Sequence, residues 1–163
     1  MIILGIDPGT VTLGYGVIEI KDNEITPIDY GALSTPPHSP IGERLSYFYS
    51  KLMNIVLHYE PDAVAVEQPF VAKNVKSALA IGRAQAIAIL AATNGGVPVY
   101  EYTPTQVKQR VTNYGASTKE RIQEMVRIQL ALAEIPQPSD AADALAVAIC
   151  HFSEMHLIKL LSK

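Results

Sequence analysis

The sequence predicts an α/β protein in which a five-stranded mixed sheet carries helices on its faces. Three observations support this. Strand-like apolar runs recur five times, and the first three are separated only by turn signals. From there on, strands alternate with amphipathic helical runs. No tract is repeated or of low complexity. At 163 residues, 48% hydrophobic and 18% charged, the chain fits a single domain, 1–163. Such a domain buries roughly two thirds of its unfolded surface. The tail after about residue 153 is expected to be less ordered.

The elements follow in order. "MIILGID" and "GYGVIEI" read as strands separated by Pro8, Gly9 and Gly14. "KDNE" is a hairpin turn that returns through a third strand over Ile25–Leu33. "TPPHSP" is a loop by composition. Leu45, Phe48, Tyr49, Leu52, Ile55, Val56 and Tyr59 recur at helical spacing up to Pro61. "DAVAVEQ" is a short buried strand, followed by an Ala-rich helix over Val75–Thr93 that Gly95-Gly96 stops. "VPVYEY" is the fifth strand. Thr103 to Gln106 has capping-box spacing with Pro104 at the first helical position. Ser117 to Glu120 has the same spacing and opens a helix with Ile122, Met125, Val126 and Leu130 inward. Ser139 begins a last helix running towards Leu161.

Composition narrows the function. One cysteine excludes an intramolecular disulfide and a cysteine-based zinc site, and Cys150 reads as a small core residue. The N-terminus has no basic leader, and the apolar stretches at Ala84–Ala92 and Ala144–Cys150 fall short of a membrane span. A cytoplasmic protein with no membrane partner is expected. The net charge is −3, but it is unevenly spread. From Lys73 to Arg127, eight basic residues face three acidic ones, so this segment carries +5 and the rest of the chain −8. A basic surface beside an acidic site would give this pattern, and so would solvated helix faces.

Four carboxylates need explaining: Asp7, Glu67, Asp140 and Asp143. Asp7 and Glu67 each end a buried strand, where sheets of this kind place their sites. Asp140 and Asp143, three apart, share a helix face. Converging carboxylates crowd like charges and raise each other's pKa, which hard divalent cations relieve. Turn initiation for Asp7, and a favourable helix-dipole interaction for Asp140 and Asp143, are alternatives the sequence leaves open. Glu67 is harder to explain that way, because a carboxylate continuing "AVAV" is costly without a cation or donors. His38, His58, His151 and His156 form no ligand constellation and read as surface or satisfied structural residues.

"GIDPGTVTLGYGV", "AVEQPFVAKNVKSALAIGRAQ", "YEYTPTQVKQRV" with "GASTKERIQEMV", and "SDAADALAVAICH" resemble the successive motifs of the bacterial RuvC Holliday-junction resolvases. The resemblance covers nearly the whole chain in the family's order. It implies an RNase H-like fold, a homodimer, and Mg²⁺-dependent symmetric nicking of four-way DNA junctions in recombination and repair. The motifs place the family's metal ligands at Asp7, Glu67, Asp140 and Asp143. They imply two Mg²⁺ ions per site with Mn²⁺ able to substitute, and RuvA–RuvB branch-migration proteins as partners. By the same resemblance Phe70 stacks on a base at the opened crossover. Lys119 and Lys108 lie near the scissile phosphate, with Lys119 counted among the catalytic residues. Lys73, Lys76 and Arg83 form a stripe that could contact DNA phosphates, and the Ala-rich helix builds the dimer. Two rivals share the first motif: an ATP-binding protein of the actin and Hsp70 type, and a YqgF-type nuclease. The former needs a second domain and a second phosphate loop.

Overall fold

The computed structural model describes residues 1–69 and 74–162, so Phe70 and Lys73 lie outside the described residues. Strands β1 (Ile2–Asp7), β2 (Thr12–Lys21) and β3 (Glu24–Ser34) form an antiparallel meander. The hairpin turn falls at Asp22 and Asn23, whose φ angles of 51° and 65° suit the right-handed twist of the paired strands. Helix α1 (Ile41–Tyr59) ends where Glu60 turns left-handed ahead of Pro61. It leads into β4 (Ala63–Glu67), α2 (Val75–Asn94), β5 (Val99–Tyr102), α3 (Pro104–Thr112), α4 (Lys119–Gln129) and α5 (Ser139–Leu161). The sheet runs β3-β2-β1-β4-β5, with β1–β4 and β4–β5 parallel.

Period-two alternation divides the core into two layers. Leu4, Ile6, Val17, Val64 and Val66 face α1 and α2, where they meet Phe48, Leu52, Val56, Ala88 and Ala91. Ile3, Ile18, Ile20, Ala65 and Tyr102 face α5, backed by Val107 and Val111 of α3 and Ile122 and Val126 of α4. The first half of α5 is therefore enclosed, and every residue from Ala144 to His151 is buried.

A glycine seam seats α5. Gly5 of β1 pairs with Gly16 of β2, and Asp7 pairs with Gly14. A Cβ on Gly5 would run into the Ala144 carbonyl, one on Gly14 into the Asp140 carbonyl, and one on Gly16 into the Leu145 side chain at 2.7 Å. The helix backbone thus lies almost directly on the strands, and its first turn sits beside the end of β1.

Two expectations change. Thr118, not Ser117, caps α4 by accepting from the Arg121 amide. The Ser117 hydroxyl instead donates to the Tyr114 carbonyl and lies 2.6 Å from Thr112 Oγ1, which fixes the α3–α4 turn. The apolar stretches read as too short for a membrane lie in helices of 20 and 23 residues, long and apolar enough by length and composition to cross one. For the first half of α5, the enclosed position between the sheet and α3–α4 accounts for that apolarity, while Met155, Ile158, Leu160 and Leu161 farther along are exposed. Past residue 153, α5 continues as regular helix to Leu161.

Candidate active site

Asp7 and Glu67 end neighbouring parallel strands, with Ile6 aligned to Val66 one residue earlier. Alternation turns Asp7 to the same side as Ile3 and Gly5, the α5 side. There the carboxyl groups of Asp7 and Glu67 face each other at close range. Asp140 projects from the first turn of α5 and Asp143 from the start of the second, and the glycine seam holds this end of the helix against β1 and β2. Asp143 lies 3.1 Å from the Lys119 ammonium, the first residue of α4.

The electrostatics follow from burial and like charge. Burial first, then the negative charges of Glu67 and Asp143, push Asp7 up from 3.8 to about 9. Glu67 is also raised, chiefly by burial, against the opposing effects of the facing Asp7 carboxyl and of the Lys108 and Lys119 charges. The Asp7–Glu67 pair thus holds a proton at neutral pH. Asp143 is raised by burial, with Lys119 pulling the other way and Asp140 adding to the rise. Burial works against the charged form of Lys119, yet its bond to Asp143 and the charges of Asp143, Asp7 and Asp140 outweigh it, so its pKa is raised.

Lys108 reaches the same place from α3. The capping box there is complete, with Thr103 accepting from the Gln106 amide and the Gln106 side chain accepting from the Thr103 amide. Glu67, Lys108, Lys119 and Asp143 line one cleft of about 230 Å³, floored by Val107, Ile122 and Ala146. Behind it, Arg110 of α3 bonds Glu154 of α5 at 2.6 Å. The Tyr102 hydroxyl meets His151 Nδ1 at 2.7 Å, giving His151 a structural role. Lys76 and Arg83 stand exposed on α2 and do not line this cleft.

The carboxylates come together as pairs rather than as a closed shell. Among the described residues no three His, Cys, Asp or Glu side chains already form a metal cage. Asp7 faces Glu67, and Asp143 is drawn to Lys119. The donor set is oxygen only, half-buried and mutually repelling, which fits a hard divalent cation that completes its shell with water and phosphate.

The whole arrangement lies within a stretch, residues 3–151, that matches the family model described as crossover junction endodeoxyribonuclease RuvC. The chain belongs to the RuvC family. A RuvC from Dehalococcoides mccartyi is 55% identical over 163 residues, all of this chain and 98% of the relative. The Thermus thermophilus RuvC structure superposes with a TM-score of 0.89 at 36% identity, covering 96% of each chain. The same protein in complex with Holliday junction substrate gives 0.90 at 37% identity and the same coverage. The fold is therefore RNase H-like, and the family is one of metal-dependent nucleases. RuvC membership sets aside the actin/Hsp70-type and YqgF-type readings of the first motif.

Sequence reasoning singled out the carboxylates and lysines but missed what holds them. The glycine seam was visible as "LGID" and "GYG", yet only the packing of α5 gives it meaning. Arg44, which binds the loop after Asp7, carried no signal in its spacing.

Proposed function

We propose that this chain resolves four-way DNA junctions by paired symmetric nicks, acting as a homodimer in recombination and repair. One observation carries the proposal: Glu67 of β4 and Asp143 of α5 meet Lys108 and Lys119 at a single cleft, with Asp7 beside Glu67, in a chain of the RuvC family. The complex of the 37% identical Thermus protein with Holliday junction substrate supports the same substrate here.

Asp7, Glu67, Asp140 and Asp143 are the residues that would hold two Mg²⁺ ions, with Mn²⁺ able to substitute. Bound there, such ions supply an activated water and stabilise the leaving oxygen of an in-line displacement. The chain's own groups prepare the rest. Asp7 and Glu67 would have to be deprotonated to hold such a cation. Lys119 has three ammonium donors, so it can hold Asp143 and still reach a phosphate oxygen. The exposed amides at the start of α4 favour an anion at the same point, and Lys108 assists from the other wall.

Phe70 would stack on a base freed at the crossover. Lys73, Lys76 and Arg83 would track phosphates, positioning the junction without reading sequence. The outward side of α2 exposes Val75, Leu79 and Leu90, a surface suited to the homodimer. RuvA–RuvB as partners and a cytoplasmic location accompany this reading.

The test uses a synthetic four-way junction and a linear duplex of the same sequence, with and without Mg²⁺, and maps the product ends. The native chain is expected to nick the junction alone, symmetrically, and only with the metal. Asp7→Asn is expected to bind the junction and leave it uncut, because binding rests on phosphate contacts. Lys119→Ala should slow cutting by about 10²-fold, the scale on which removing one stabiliser of developing charge acts. Metal-dependent nicking by Asp7→Asn at the native rate would refute the assignment.

A further inference from the structure

We infer that Arg44 is a positioning residue for the loop that carries Asp7, an inference that rests on reading Asp7 as a metal ligand. Residues 8–11 join β1 to β2 immediately after Asp7. Two successive carbonyls of this loop are held from outside it. Arg44, in the first turn of α1, donates from Nη1 to the Thr10 carbonyl at 2.9 Å. Thr35, only 8% exposed, donates its amide to the Val11 carbonyl at 2.9 Å. Its hydroxyl lies 3.3 Å from the Val11 carbonyl and 3.5 Å from that of Thr10.

The charge is used in an unusual place. A guanidinium has five donors in a fixed fork and suits carboxylates or phosphates. Here it points into the protein at a backbone carbonyl, and its Nε is buried with no partner among the described residues. Leaving a buried donor unpaired is costly, so what Arg44 offers is the geometry of the Thr10 peptide. Because the peptide unit is planar and trans, a fixed carbonyl also fixes the opposite direction of the Val11 N–H. The loop is short, so its fixed far end limits how the chain leaves Asp7. Arg44 therefore holds Asp7 ready for its ion, acting through the backbone and touching neither ion nor DNA.

The test compares the native chain with Arg44→Met, Arg44→Lys and Asp7→Asn, after confirming folding by circular dichroism. Mn²⁺ binding without DNA is measured by calorimetry, junction affinity in EDTA, and single-turnover cleavage in Mg²⁺. Arg44→Met is expected to weaken Mn²⁺ binding and slow cleavage by about 10-fold, the lower end of what outer partners of metal ligands contribute. Junction affinity should stay within about twofold, and Arg44→Lys, whose ammonium can still reach a carbonyl, should recover most of the loss. Unchanged Mn²⁺ affinity in Arg44→Met would overturn the inference. So would a fall in junction affinity matching the fall in cleavage, which would make Arg44 a phosphate contact. If Arg44→Met does not fold, Thr35→Val, which removes one hydroxyl, replaces it; a Mn²⁺ affinity equal to native would then be the overturning result. Asp7→Asn separates the two readings. If it alone loses Mn²⁺, the positioning role fails and the site stands; if it binds Mn²⁺ as the native chain does, the site itself fails.

Discussion

Asp7 has a consequence that can be measured without any DNA. In the fold it holds a proton up to about pH 9, whereas unfolded it would release it near 3.8. Between those values the native state binds more protons than the unfolded state, so stability falls as pH rises through this window. Below about 4 both states are protonated and the penalty vanishes. Asp7→Asn removes this titration. In EDTA, the variant's melting temperature should overtake that of the native chain as pH rises from 5 to 9. The gap should widen steadily across this range, each kcal/mol appearing as roughly 2–4 °C for a chain of this size. Parallel pH profiles for the two proteins would contradict the buried proton. The same destabilisation is what a bound cation would relieve, so the residue that weakens the metal-free fold is the one that favours the ion.

At the scale of elements, the contact that matters is α5 on the β1–β2 pair. Gly5→Ala places a methyl against the Ala144 carbonyl and the Ala148 amide, both backbone, so neither can rotate away. Overpacking of this kind costs about 1–3 kcal/mol or more, and thermal melts should show a fall of several degrees. Gly42→Ala, with nothing within 4 Å of the added carbon, should leave stability unchanged or raise it by up to about 1 kcal/mol. Equal melting temperatures for the two variants would mean the seam is not tight. Gly5→Ala should also reduce metal affinity, since it shifts Asp140 and Asp143 relative to Asp7. On the other side of the cleft, the Arg110–Glu154 and Tyr102–His151 contacts tie α3 and β5 to α5, which keeps Lys108 in register with Asp143.

Across the whole molecule, the basic middle segment is less free than its count suggests. Arg110 pairs with Glu154, Arg127 with Glu124, and Lys119 with Asp143. Among the described residues of the segment, Lys76, Arg83, Lys108 and Arg121 make no ion pair. If these four meet phosphates, log K for junction binding should fall against log salt with a slope of roughly −3 to −4 per chain. Titrations from 50 to 200 mM salt would check this, and a slope near zero would contradict a phosphate-led interface. A chain of net charge −3 can still bind DNA because its acidic excess is concentrated elsewhere, including the buried site where cations would neutralise it.

Much of this was legible in the sequence, because periodicity and turn chemistry are local. The "KDNE" hairpin, the Thr103 capping box and the strand ends at Asp7 and Glu67 each follow from a few neighbouring residues. The Ser117 box misled, because a hydroxyl at the right spacing found better partners in Thr112 and Tyr114, contacts that no spacing encodes. The sequence by itself determined the elements and the family, and singled out the four carboxylates. Only the tertiary structure decided that Asp7 is buried against Glu67, that Lys119 holds Asp143, and that Arg44 fixes the Thr10 carbonyl. Those outcomes depend on burial and on distances between elements far apart in the chain, set where α5 lies against three glycines.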